Sequence, residues 1–142
     1  MKPVAEKMGI KENSQALFIN APTEAIDGLA LPKLIISKDI TGKFDYIHVF
    51  VKSQSELCEI FPRLKSHLNL NGMLWVSWPK GGGMGTNLSL SKIIKIGYSF
   101  GLVESTCLSI NSIWSGLKFT HPKAGKIYSN SHAELKKRTT DR

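Results

Sequence analysis

Acidic side chains are scarce: 11 Asp and Glu stand against 19 Lys and Arg, a formal net charge of +8. Half of that excess sits in residues 121–142, where Lys123, Lys126, Lys136, Lys137, Arg138 and Arg142 face only Glu134 and Asp141. The tail has few apolar residues to pack, so the expectation is a basic, disordered segment behind a domain spanning residues 1–120. Such a tail either holds phosphates through counterion release or serves only as a solubilising end. Cysteine is nearly absent. Cys58 and Cys107 lie 49 residues apart in apolar runs, which excludes a disulfide framework and predicts buried free thiols in a reducing compartment. Neither cysteine stands at metal-ligand spacing from the other or from His48, His67, His121 or His132, so no metal site is expected. Long apolar runs are missing too. No stretch approaches the roughly 18 residues of a membrane span, and Met1–Lys7 carries no signal-like apolar core; the expected location is the cytoplasm. With 142 residues, no repeat and no linker, one domain that buries roughly 70% of its unfolded surface is sufficient.

What is present centres on residues 73–85, Met-Leu-Trp-Val-Ser-Trp-Pro-Lys-Gly-Gly-Gly-Met-Gly, an apolar strand (Met73–Trp78) running into a glycine-rich loop. Before it, residues 3–9 suit a short helix ended by Gly9, and Gln15–Asn20 a buried strand stopped by Ala-Pro. Thr23 is the expected N-cap of a brief helix through Ala25, Ile26 and Leu29, and Leu34–Ser37 a second strand. Phe44–Val51 is apolar on both faces, the mark of a central strand in a parallel sheet, which makes His48 an interior histidine. Ser53 or Ser55 caps a helix carrying Leu57, Ile60, Phe61, Leu64 and Leu68, with a kink or break expected at Pro62. Asn69–Gly72 should end it. After the glycine loop, Ser89 or Ser91 caps a helix through Phe100, stopped by Gly101. Leu102–Ile110 and Ile113–Thr120 are joined too tightly for a parallel crossover and read as an antiparallel hairpin.

Alternating strands and helices predict an α/β fold of three layers, Rossmann-like, with a mostly parallel sheet and a C-terminal antiparallel hairpin. Ligands of such sheets bind beyond the carboxyl ends of the strands. Those ends are Asn20–Thr23, Lys52–Ser53 and Trp78–Gly83, and the start of the last strand, Ile113–Gly116, should reach the same edge.

Phe44-Asp45-Tyr46-Ile47 and Leu70-Asn71-Gly72-Met73-Leu74 resemble two phrases of the class I S-adenosylmethionine-dependent methyltransferase fold. More closely, Asn20-Ala21-Pro22, Phe44–His48, Trp75–Lys80 and Trp114–Leu117 are similar to phrases of a family of short, uncharacterised bacterial proteins, over about residues 1–120. The resemblance implies a methyltransferase-like sheet and carries no activity with it. In the larger class the cofactor needs a glycine-rich turn after the first strand and an acid after the second. Here that turn, Asn20–Thr23, has no glycine and loses a donor at Pro22, while Asp39 is either the ribose acid or a plain loop aspartate. Only residues 21–43 separate the first strand from the Phe-Asp strand, room for one helix and one strand where the class has two of each. The expected topology is therefore a reduced methyltransferase-like one.

Gly81, Gly83 and Gly85 match Gly-x-Gly-x-Gly, but no acid ends the following strand, and Lys80 precedes the glycines where a phosphate loop wants it after them. The loop with Lys80 and the helix start after Asn87 makes an anion nest, or else a loop with no ligand. Trp78 and Trp114 form either a wall for a flat group or strand packing; Trp75 is core. Ser77, Ser115 and His48 cannot be joined into a triad from sequence. The candidate ligand edge is thus Asn20, Asp39, Trp78, Lys80, Gly81, Gly82, Gly83 and Trp114, for a small anionic or aromatic ligand, with no membrane partner. The leading expectation is a non-catalytic or cryptic binding domain. The alternatives are a divergent enzyme using S-adenosylmethionine or a nucleotide, and a weak nucleic-acid binder acting through the tail. Oligomeric state is not legible.

Overall fold

Phe44–Phe50 (β3) has six buried residues of seven, and a strand dry on both faces belongs in the middle of a sheet. In the computed structural model, which describes residues 2–123, 128–129 and 134–135, β3 lies between Gln15–Ile19 (β1) and Leu68–Pro79 (β4), parallel to both. Ile35–Ser37 (β2) pairs parallel with β1 at one edge. At the other side Trp114–Thr120 (β6) runs antiparallel to β4, and Val103–Ser109 (β5) closes the hairpin as the far edge. The order is β2-β1-β3-β4-β6-β5, the expected parallel sheet with an antiparallel hairpin. Between β1 and β3 stands only the helix Thr23–Asp27 (α2) besides β2, as the short interval required.

The two faces are covered unequally. On one, Gln54–Ser66 (α3) and Leu90–Ser99 (α4) bring Leu57, Phe61, Leu64, Ile93 and Ile94 onto Ile47, Val49, Val76 and Trp78. On the other, Val4–Met8 (α1) and α2, five residues each, place Ala5, Met8 and Ala25, with Leu29 just beyond, over Tyr46, Phe50, Trp75 and Trp114. Helices this short have no stability of their own in water. Packing on the sheet holds them.

Several expectations need correction. The segment Asn69–Gly72, expected to end the helix, belongs to β4, because the β3–β4 register jumps between Phe44↔Leu68 and Tyr46↔Met73. The bulge is tied by Asn69 Nδ2 donating to Asp45 Oδ1 at 2.8 Å, and a Cβ at Gly72 would lie 2.9 Å from the Phe44 carbonyl oxygen. Pro62 sits inside the single helix α3; it removes one amide on the exposed side, where water can satisfy the carbonyl left over. Pro22, not Thr23, occupies the N-cap of α2, with no side-chain cap. Ser53 and Ser89 are the caps of α3 and α4, each accepting an amide N–H from three residues on. Cys58 and Cys107 are exposed, not buried: Cys58 follows the inward Leu57 and turns off the apolar face of α3, and Cys107 lies on the edge strand β5.

Of the tail, His121–Lys123 and the antiparallel pair Tyr128–Ser129 (β7) and Glu134–Leu135 (β8) are described. The rest of residues 121–142, and with it the expectation of disorder, lies outside the described residues. Among the described residues no helix is long and apolar enough to cross a membrane.

Candidate functional site

Strands β1, β3 and β4 all end at one edge of the sheet, and β6 begins there, with Trp114 opposite Pro79. The chain leaves β1 through Asn20 at φ 56°, the left-handed conformation for which glycine is the usual choice and asparagine the best substitute. The missing glycine of the first turn is thus replaced in conformation, though Pro22 still lacks its amide donor.

Beyond this edge opens a cleft of about 460 Å³, inside the range of roughly 300–1,000 Å³ that small-molecule sites occupy. Its apolar part is Phe50, Trp114 and Ile113, with Pro22 on the first turn and Met84 from the glycine loop. The polar part is Asn20, Glu24 at the start of α2, Lys52 after β3, and Glu56 in the first turn of α3. Glu56 is held in place because Oε1 accepts the Lys52 amide at 2.8 Å. Two carboxylates, the Lys52 side chain and an amide around an apolar floor suit a ligand that carries hydroxyl groups.

Under that floor runs an aromatic column. Phe50 meets Trp114 edge-on at 5.1 Å and stacks on His48 at 4.5 Å; Tyr46 and Phe18 continue it. The column carries a buried polar relay. His48 Nδ1 lies 2.7 Å from the Tyr46 hydroxyl and His48 Nε2 lies 2.7 Å from Ser77 Oγ, and all three residues are inaccessible to solvent. In one tautomer Tyr46 donates to Nδ1 and Nε2–H donates to Ser77; in the other the ring donates to Tyr46 and accepts from Ser77. Burial lowers the His48 pKa from 6.5 to about 3 and raises that of Tyr46 above its ordinary value, so both stay neutral. The His48–Ser77 pair therefore has the spacing of a base and a nucleophile but no path to a substrate.

The structure gathers only part of the expected edge. Asn20 and Trp114 line the cleft. Trp78 does not face Trp114: the residue opposite Trp114 in the ladder is Pro79, and Trp78, one position back, points into the core under α3 and α4. Lys80 turns away as well, its Nζ donating to Ser109 Oγ at 2.5 Å and its amide to the Ile113 carbonyl. Gly81, Gly82 and Gly83 form an exposed 3-10 turn, Lys80–Gly85, in which Gly81 and Gly82 have φ of 57° and 76° and a Cβ would meet nothing within 4 Å. Here glycine serves the backbone turn. Asp39, beyond β2, is exposed, exchanges hydrogen bonds with Ser37 and does not line the cleft. Sequence reasoning missed Glu24, Phe50, Lys52 and Glu56, although Lys52 and Glu56 flank a strand end that it had placed at this edge.

This arrangement of sheet and hairpin is a methyltransferase-like Rossmann fold with a reduced topology between β1 and β3. Among similar solved structures, the precorrin-6y C5,15-methyltransferase of Geobacter metallireducens has a TM-score of 0.57 at 9% identity, over 84% of this chain and 86% of that one. The ribosomal protein L11 methylase of Lactobacillus delbrueckii subsp. bulgaricus has 0.54 at 15%, over 82% and 74%. A TehB-like S-adenosylmethionine-dependent methyltransferase of Corynebacterium glutamicum has 0.54 at 10%, over 83% and 85%. At these identities the likeness is one of fold. No protein-family model matches the chain, and no curated protein matches it.

Proposed function

We propose that the protein is a binding domain for an adenosyl-type ligand, S-adenosylmethionine or its demethylated product, held in the cleft between Asn20 and Trp114. The observation that carries this reading is the position and lining of the cleft: it lies beyond the carboxyl ends of parallel strands, where open α/β sheets take their ligands, and is lined by Asn20, Glu24, Lys52 and Glu56 beside Phe50 and Trp114. Phe50 and Trp114, 2% and 4% exposed, reach the cleft only by their edges and give it an apolar floor. Glu24 or Glu56 offers the hydroxyl acceptor that Asp39 does not supply.

A second reading, methyl transfer, is favoured by the methyltransferases among the structural neighbours. Bound S-adenosylmethionine would supply the activated methyl group, and Glu56 and Glu24 are the cleft's candidates for orienting an acceptor.

Calorimetry and tryptophan fluorescence with S-adenosylmethionine and S-adenosylhomocysteine test the proposal. Heat of binding and a fluorescence change that disappears in Trp114→Phe but survives in Trp78→Phe are expected. No heat and no thermal shift at millimolar ligand would sink it, and steady release of S-adenosylhomocysteine would transfer the case to the enzyme reading.

A further inference from the structure

The glycine loop that follows β4 is tied at both ends and little packed between them. At its start the Lys80 amide donates to the Ile113 carbonyl at 2.8 Å, and the Lys80 Nζ donates to Ser109 Oγ. At its finish Asn87 is gripped by the first residue of α3: Gln54 N–H donates to Asn87 Oδ1 at 2.8 Å and Gln54 Nε2 to the Asn87 carbonyl at 2.9 Å. Between these ties no residue of Lys80–Gly85 is buried, and a Cβ on Gly81, Gly82 or Gly85 would meet nothing within 4 Å. Met84 is the one large side chain of this span. The ties hold it at φ 56° between Gly83 and Gly85, a conformation that costs any residue but glycine, and it lines the cleft while 55% exposed. Ile113, in the hairpin turn that Lys80 grips, lines the same cleft and is 43% exposed. Two half-exposed apolar side chains at one cleft are surface that an occupant can cover.

The geometry points to a flap: Gly81–Gly85 folds over the occupied cleft and brings Met84 down onto the ligand beside Ile113. This inference rests on the reading of the cleft as the ligand site. Glycines flank Met84 on both sides, and glycine takes up changes of φ and ψ that other residues resist, so the pivots are in place. The turn carries no buried residue, and moving it breaks no core packing. Lys80 and Asn87 stay fixed to the hairpin and to α3, which confines the movement to the residues between them. Methionine is unbranched and polarisable, and it adapts to the outline of what it covers. The glycines then serve the site as the pivots of one side chain.

Stopped-flow tryptophan fluorescence of the full chain with S-adenosylhomocysteine tests the flap. Met84→Ala should release the ligand roughly five- to tenfold faster than the wild type, the effect of losing the burial of a half-exposed methionine. Its association rate should change by less than about twofold, because the flap shuts after the ligand has entered. Met84→Leu should restore slow release. Amide exchange read by mass spectrometry reports the backbone directly. At saturating S-adenosylhomocysteine, exchange over residues 81–86 should slow about tenfold in the wild type and not in Met84→Ala, while α2 is protected in both. Met84 is exposed, so the variants keep the fold, and circular dichroism confirms it. Binding with unchanged exchange at residues 81–86, or release from Met84→Ala as slow as from the wild type, overturns the flap and leaves the ligand site standing. No fluorescence change and no heat with the wild type at millimolar ligand overturns the ligand site and the flap together.

Discussion

Mild acid should destabilise this protein through one residue. His48 is inaccessible to solvent, bonded at both ring nitrogens and stacked on Phe50, and burial holds its pKa at about 3 against an ordinary 6.5. In the unfolded chain the same ring takes up a proton near its ordinary value. Between these two pH values the unfolded state binds more protons, so the contribution is complete above pH 6.5 and is lost as pH falls toward 3. At 1.36 kcal/mol per pKa unit the loss is roughly 2 kcal/mol at pH 5 and about 3 kcal/mol at pH 4. A domain of this size has a total of about 5–15 kcal/mol. Urea unfolding at pH 7, 6 and 5, followed by circular dichroism, measures the effect in a window above most carboxylate titration. His48→Gln is the control. It starts less stable by about 1–3 kcal/mol, since glutamine cannot satisfy both the Tyr46 and Ser77 hydroxyls, yet its stability should fall less between pH 7 and 5, by roughly 2 kcal/mol. Equal pH slopes in the two proteins would refute the assignment of the titration to His48.

Gly97→Ala should destabilise even though alanine is the better helix former by about 1 kcal/mol. A Cβ there would stand 2.1 Å from Phe119 Cε1, and Phe119 is fully buried against Phe61. Overpacking of this kind costs about 1–3 kcal/mol or more, so the midpoint of urea unfolding should drop and then recover in Gly97→Ala, Phe119→Leu; a more stable single variant would contradict the packing. The two thiols should both react with a colorimetric disulfide reagent in the folded protein, because both are exposed. Cys107, whose thiol is pushed up by partial desolvation, should react faster as pH rises; reaction only after denaturation would contradict their placement.

The sheet was legible because its strands differ in kind. Phe44–Phe50 carries apolar residues on both faces and is buried at nearly every position, as a central strand is, whereas Val103–Ser109 alternates and lies at an edge. The interval of residues 21–43 left no room for more than α2 and β2, and the hairpin followed from the two residues Asn111 and Ser112. The Asn69–Gly72 bulge was not legible, because Asn-x-Asn-Gly carries turn chemistry, and the tie from Asn69 to Asp45 that helps keep it in the sheet is a contact between distant residues. At the site, strand ends located the right edge but not which side chains meet there. Trp78 and Trp114 both lie beside that edge, and a single step in pleat parity sends them to opposite faces. The cleft's carboxylates went unread for a related reason: Glu24 and Glu56 sit in the first turns of two helices, where an acid also has the plain role of complementing the helix dipole.

The open cleft and the open edge have a common origin in the short connection between β1 and β3. A second helix–strand unit in that interval would extend the sheet past β2 and pair its open backbone edge. Without it, β2 is terminal, and the face above Phe50 and Trp114 is left to two five-residue helices. One of these, α2, contributes both Ala25 to the core and Glu24 to the cleft. Its position is thus fixed by burial on one side, which gives the carboxylate on the other side a defined place despite the helix's lack of intrinsic stability. Asn20 leaves β1 in the left-handed conformation at φ 56°, and Met84 of the glycine loop has the same φ; both residues line the cleft. Backbone of that kind is held where the surrounding structure fixes it, and here it brings the first turn and the glycine loop to opposite ends of one lining.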